Sequence, residues 1–141
     1  IDFPQPMRNH RSYDFSFSGI KTAVLYYVRD KVKATRKKLD QKEKANIAAS
    51  FERAVTDVLA YKTARAAQEF GAKTILLSGG VAANVWLRKN LATVARNFGI
   101  SFKAPEAEYN TDNAAMIAAA AYIRALQKKK YKMTAQSNLT L

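Results

Sequence analysis

Residues 74–91 read TILLSGGVAANVWLRKNL. Thr74, Ile75, Leu76 and Leu77 make a short apolar, partly β-branched run, too brief for a helix and suited to a buried strand. Gly79 and Gly80 break it. From Asn84 onward, apolar residues recur at helical spacing. The stretch therefore predicts strand, tight turn and helix, the repeating unit of an α/β fold. Two readings of the double glycine stand side by side. A turn needs residues that tolerate positive φ and carry no Cβ. A ligand needs the main chain to come close, and in open α/β sheets ligands sit beyond the carboxyl ends of the strands, where free amides of the next helix favour anions. Val81, Ala82 and Ala83 keep that floor small, and Asn84 offers both a donor and an acceptor. The pattern is neither a Walker loop nor the dinucleotide fingerprint: no lysine follows the glycines, and their spacing differs.

Working outward, the same logic orders the chain. Tyr13, Phe15 and Phe17 alternate with Asp14, Ser16 and Ser18, the period of a half-buried strand. Ile20, Val24, Tyr27, Val28 and Val32 then follow helical spacing, with Ser18 expected as the N-cap. Apolar residues nearly vanish through residues 35–44, which reads as an exposed connection. Ile47, Phe51, Val55, Val58 and Leu59 stripe a long amphipathic helix, and Gly71 sits where a left-handed C′ residue is expected. Gly99 closes the helix after Asn84 in the same way. ISFKAP, residues 100–105, reads as a strand stopped by Pro105. An alanine-rich helix follows, with Asp112 and Asn113 in its first turn. The expected order is β, α, α, β, α, β, α, which implies a mainly parallel sheet with helices on both faces. Trp86 and the aromatic strand read as core.

Composition narrows the class. A chain of 141 residues, 48% of them apolar, is long enough for one core. No apolar run approaches the roughly 20 residues of a membrane span, and residues 1–11 lack a signal core. The absence of cysteine removes disulfides and thiolate metal sites. Phe3 and two early prolines look like mid-chain connection, so further sequence upstream is expected. The balance of 24 basic against 11 acidic residues gives a net charge of +13. It is uneven: Lys31, Lys33, Arg36, Lys37, Lys38, Lys42 and Lys44 face only Asp40 and Glu43 in their segment. Lys128, Lys129, Lys130 and Lys132 open the C-terminal tail. Such blocks attract polyphosphates, or are simply solvated helix faces and linkers.

The second candidate site is NTDNAAMIA, residues 110–118. Asp112 is either an ordinary helix cap, since carboxylates satisfy free amides at a helix start, or a hard oxygen ligand or general base. Both this loop and SGG follow expected strands and should open on one edge of the sheet. His10 is the single histidine, has no partner at metal spacing, and reads as surface. Lys21 and Thr22 read as a helix start.

Five segments in order, FPQPM, DFSFSGIKTA, FERAVTDVL, LSGGVAANVWLR and TDNAAMIAAAA, resemble the C-terminal half of the tRNA N6-adenosine threonylcarbamoyltransferases, a family long called glycoproteases or O-sialoglycoprotein endopeptidases. The resemblance covers residues 3–121. It implies part of the second lobe of an actin-like ATPase (ASKHA) fold over residues 1–127; residues 128–141, outside the resemblance, read as a basic, disordered tail. It implies an enzyme that moves threonylcarbamoyl from threonylcarbamoyl-AMP to N6 of adenosine 37 in tRNAs reading ANN codons. The partners implied are tRNA and small proteins of the same pathway, with no membrane, in the cytoplasm.

Carried over by motif, Asn84 contacts the adenylate, with Gly79 and Gly80 lining the same cleft. Asp112 ligates one divalent metal, iron or zinc, shared with two histidines of an HxxxH motif in a first lobe. That motif is absent from this chain, so the chain by itself is expected to be inactive. Many family members carry cysteine where this chain has Asn110. The competing reading is a basic, non-catalytic domain that binds RNA or a partner. A protease finds no support: there is no HExxH and one histidine in all.

Overall fold

The computed structural model describes residues 1–111 and 113–128. Four α-helices and two strands follow one another: α1 (Ser18–Thr35), α2 (Gln41–Glu69), β1 (Thr74–Leu76), α3 (Val85–Asn97), β2 (Ser101–Lys103) and α4 (Ala114–Leu126). Single 3-10 turns cover Gly80–Ala83 and Ala107–Tyr109. β1 and β2 pair in parallel, Thr74 opposite Ser101 and Leu76 opposite Lys103, with α3 as the crossover. The α/β class is as the spacing predicts, but the sheet has two strands rather than three.

The missing strand is Tyr13–Ser18. Its alternating aromatics do pack, but against α2 instead of a neighbouring strand. Lys62 on α2 is buried, and its Nζ donates to the carbonyls of Ser12 and Asp14. Arg65, one turn on, donates to the carbonyls of His10, Arg11 and Ser12. Of these carbonyls only that of Asp14 lies within Tyr13–Ser18, so the two cations anchor the entry to the segment against α2. The rings complete the arrangement: Arg65 lies 4.4 Å from the Tyr13 centroid and Lys62 5.5 Å from that of Phe15. The Tyr13 hydroxyl donates to Glu69, which raises its pKa above the ordinary 10.0. The segment then enters α1 with Phe17, not Ser18, at the N-cap position, and no side chain caps it.

α2 is longer than its apolar stripe suggests. Asp40 caps it with a reciprocal box: its carboxylate accepts from the Glu43 N–H at 2.7 Å, and Glu43 accepts from the Asp40 N–H at 3.0 Å. Gln41–Lys44, expected in the connection, form the first helical turn, because the cap satisfies amides that would otherwise be orphaned. Glu43 also pairs with Lys31 of α1 at 2.8 Å. Two apolar clusters share α2. Its first half packs Ile47 and Ala54 with Phe3 and with Ile20 of α1. Its second half packs Ala60 with Leu87 and Leu91 of α3, joined by Leu77 and Phe102 at the sheet.

Among the described residues, helices on both faces of the sheet are not observed. Ile75 is buried, while Leu76, pointing to the opposite face, is 77% exposed. α4, the one remaining helix, buries none of its residues. Trp86, expected in the core, is 57% exposed, and Lys89 lies 5.6 Å from its ring. α3 turns Leu87, Leu91 and Ala95 inward instead. Gly71 and Gly99 adopt positive φ just past α2 and α3, as their positions predict.

Removing the Asp40 carboxylate (Asp40→Ala) is expected to cost about 1 kcal/mol, the usual value of an N-cap. Glu43→Gln keeps an acceptor for the Asp40 N–H but ends the ion pair. Lys31 first, then the Asp40 N–H, hold the Glu43 carboxyl below its ordinary 4.5. A depressed acid pKa adds stability above the unfolded value that is lost as pH falls through the folded one. Melting temperatures of native protein and Glu43→Gln, compared from roughly pH 3 to pH 7, should therefore differ at the neutral end and converge on acidification.

Candidate functional site

The chain leaves β1 through Leu77 and Ser78 and turns at Gly79, whose φ of 85° and ψ of 174° belong to a region essentially reserved for glycine. Gly80 is different. Its φ is not positive, and a Cβ built there would meet nothing within 4 Å. Local geometry thus accounts for Gly79 but not for Gly80, which leaves open space beside the main chain. The 3-10 turn Gly80–Ala83 follows, and Ala82 is fully buried beneath it.

Asn84 ends that turn and caps α3. Its Oδ1 accepts from the Leu87 N–H at 2.8 Å, and its Nδ2 donates to Glu52 Oε1 at 2.7 Å. Both ends of the amide are thus engaged, tying the start of α3 to α2. A cap was legible in the sequence; the Glu52 partner, 32 residues upstream, was not.

β2 leads into a loop on the same edge of the sheet. Between the two loops lies a cleft of about 810 Å³, lined by residues 76–79, 103–105 and 109–111 and by Asn113, Ala115 and Met116. Gly79 and the residues flanking position 112 share this wall; Gly80 and Asn84 do not line it. Asp112 itself, the expected metal ligand, lies outside the described residues, as do Lys129, Lys130, Lys132 and the rest of the tail from 129 onward. Asn113 is the N-cap of α4, accepting from the Met116 N–H at 2.9 Å, rather than a first-turn residue.

One side chain holds the two loops together. Arg88, in the first turn of α3, donates through Nε to the Ala82 carbonyl. Its Nη2 donates to the Pro105 carbonyl at 2.7 Å and to Asn110 Oδ1 at 3.1 Å. A guanidinium presents its donors in a fixed fork, so it sets the loop after β1 and the loop after β2 at a defined separation. The sequence held a signal for it: Arg88 lies four residues after Asn84, one helical turn past the cap.

A model of the tRNA N6-adenosine threonylcarbamoyltransferase family matches residues 1–119. The chain belongs to this family. Relatives bearing that name include one from Thermosipho melanesiensis, 48% identical over 86% of this chain and 35% of its own length. One from Thermosipho africanus is 46% identical over 100% of this chain and 39% of its own length. One from Clostridioides difficile is 41% identical over 95% of this chain and 38% of its own length. The chain thus spans well under half the length of these relatives.

Metal ligands are sparse here. Among the described residues no group of three or more His, Cys, Asp or Glu side chains could hold a metal ion. His10 is exposed and engaged locally: its Nδ1 lies 2.9 Å from Ser12 Oγ and accepts from the Ser12 N–H at 3.2 Å. The sequence suggested no Ser–His pair; this one is a surface turn with no carboxylate on the ring among the described residues, and it lacks the orienting partner a nucleophile needs. No helix of the described residues is long and apolar enough to cross a membrane.

Replacing Arg88 by lysine keeps the charge and loses the fork. The expected cost is about 1.5–3 kcal/mol, the range for a hydrogen bond to a charged group. Amide hydrogen exchange should accelerate at residues 79–83 and 104–111 while α1 stays protected; uniform acceleration would place the role of Arg88 elsewhere.

Proposed function

We propose that this chain is part of an enzyme that transfers threonylcarbamoyl from threonylcarbamoyl-AMP to N6 of adenosine 37 in tRNAs reading ANN codons. In this reading residues 1–127 belong to the second lobe of an actin-like ATPase fold and work in the cytoplasm with small partner proteins. The observation that carries the proposal is the cleft at the carboxyl ends of β1 and β2, held by Arg88, in a chain whose relatives bear the name of this transferase. The open space beside Gly80 supports close approach of a ligand there. Gly79, in the cleft wall, and Gly80 and Asn84, just outside it, are the residues proposed to meet the adenylate. Asn84 does so from a fixed position, because the Leu87 N–H and Glu52 hold its amide.

In the reaction the adenosine N6 amine attacks the carbamoyl carbon. A C–N bond forms, the C–O bond to phosphate breaks, AMP leaves with the electron pair, and the amine loses a proton. The contribution of this chain is orientation: a mostly apolar wall shapes the cleft in which the reactants are held. Asp112 is proposed as one ligand of a divalent metal, iron or zinc. A catalytic metal needs about three protein ligands, and the described residues provide no such set. In this reading the remaining ligands come from outside this chain, and the chain alone is expected to give no transfer. No protease chemistry is proposed, since no nucleophile among the described residues has an oriented base.

tRNA is proposed to dock on the basic surface around the α1–α2 junction. Lys31 is neutralised by Glu43, but Lys33, Arg36, Lys37, Lys38, Lys42 and Lys44 are exposed, and no ion pair holds them among the described residues.

Asp112→Asn separates cap from ligand. Asparagine caps a helix about as well as aspartate, so a pure cap predicts little change. A ligand predicts loss of metal and of transfer with the fold intact, read by elemental analysis and a tRNA assay on the full-length protein; full metal content with full activity would remove Asp112 from the site. For docking, Lys37→Gln with Lys38→Gln should flatten the log–log salt dependence of tRNA binding by about 0.7–0.9 for each phosphate that is no longer neutralised. Identical slopes would return the segment to a solvated connection.

A further inference from the structure

The outer face of α1 carries an aromatic side chain that the core does not use. Tyr26 and Tyr27 are neighbours in sequence and turn opposite ways. Tyr27 points inward, meets Phe3 edge to face at 5.7 Å and packs on the first apolar cluster. Tyr26 points outward and is 50% exposed. Its ring is not loose: the Arg29 guanidinium, one turn on, lies 4.6 Å from the ring centroid, a contact that steadies the ring from one side. Helical spacing sets what lies beside it. Thr22, Tyr26, Arg29 and Lys33 fall on one stripe of the helix, and all four are exposed. Lys33 stands two turns beyond Tyr26, about 10.5 Å along the axis. α1 then ends at Arg36, in the left-handed region at φ 53°, followed by exposed Lys37 and Lys38. The one acid between Ser18 and Leu39 is Asp30. It pairs with Arg29 at 2.8 Å on an exposed surface, where such a pair is worth little.

We propose that this face binds a single-stranded stretch of the tRNA: the Tyr26 ring stacks on one unpaired base, and Lys33, Arg36 and Lys37 hold neighbouring phosphates. This rests on tRNA docking at the α1–α2 junction and adds to it the residue that meets a base. Charge complementarity selects the class of partner. Lys33, Arg36 and Lys37 are exposed and have no ion pair among the described residues, which suits a polyanion. The ring selects the kind of polyanion. In an A-form duplex the bases are stacked on one another, and a convex helix can meet only the backbone and the groove. An unpaired loop or end offers the face of a base, and stacking on an aromatic side chain within a cationic groove or stripe is how single strands are held without sequence readout. A protein partner fits less well, because interface anchors sit in pockets that exclude water, whereas Tyr26 stands on a convex helix face with cations around it. Arg29 can exchange Asp30 for a phosphate at little cost while its plane stays on the ring.

The test uses the full-length protein with two probes, unmodified tRNA and a fully paired RNA duplex. Tyr26→Ala should weaken tRNA binding about fivefold or more, the lower end of what one stacked base is worth by alanine substitution. The log–log salt slope should stay as in the native protein, because no cation is removed. Duplex affinity should not change. Tyr26→Phe keeps a ring and should bind tRNA as the native protein does; Tyr26→Leu keeps apolar bulk without a ring and should behave like Tyr26→Ala. All three should melt near the native temperature, since the side chain lies outside the core. Direct ultraviolet crosslinking of bound tRNA, read by mass spectrometry after digestion, should place a nucleotide on the peptide that carries Tyr26. Native tRNA affinity in Tyr26→Ala overturns the proposal, as does an equal loss for tRNA and duplex, or full binding by Tyr26→Leu. Release of a partner protein by Tyr26→Ala with tRNA affinity unchanged would assign the face to a protein contact and also overturn it. A native protein that binds no tRNA removes the docking reading itself, and this one with it.

Discussion

A buried lysine with no ion pair among the described residues governs how this chain folds. Lys62 is 1% exposed, and an ammonium removed from water must find oxygen ligands. It finds them in the carbonyls of Ser12 and Asp14, and Arg65 does the same with three carbonyls of the same segment. Two cations on one helix face thus fix the path of residues 10–14. That path delivers Phe17 and Ile20 to the first apolar cluster and sets where α1 begins. The other face of α2 carries Ala60 against α3. α2 is therefore the beam on which α1 and α3 are both mounted, and the cleft inherits its position from it through Glu52 and Asn84.

At the cleft the polar logic repeats on a smaller scale. Arg88 gives its donors to two carbonyls and one amide oxygen belonging to different loops. Loops after strands are ordinarily the variable part of an α/β fold. Here a side chain from the helix between the strands reaches both, so their separation depends on α3 and little on the loops' own sequences. The apolar wall supplies shape, and the few polar atoms supply direction.

Local signals in the sequence were legible where they have local causes. The β1–turn–α3 unit follows from four apolar residues, two glycines and a cap, and positive φ at Gly71 and Gly99 follows from their position past a helix. Tyr13–Ser18 deceived because alternation reports which side chains are half-buried, not what covers them. The covering surface is the Lys62, Arg65 and Glu69 stripe, one helical face about 50 residues downstream, whose charges look like solvated surface. The same blindness to distant partners hid Glu52 behind Asn84 and Arg88 behind Asn110. Trp86 failed for another reason: α3 had enough aliphatic residues to fill its inner face without it. Asp40 and Glu43 did carry a capping box three residues apart, masked by the lysines around them.

The sealing of Lys62 also gives the molecule a chemical clock. Every other lysine among the described residues is exposed apart from Lys31, which is half-buried. An amine-reactive reagent will label the exposed lysines at once and reach Lys62 only when residues 10–14 lift from α2. The rate at which that one amine is modified measures how often the segment opens, and opening there need not disturb α3 or the sheet. Breathing of the N-terminal wrap is thus separable from unfolding of the cleft, and a single side chain reports it.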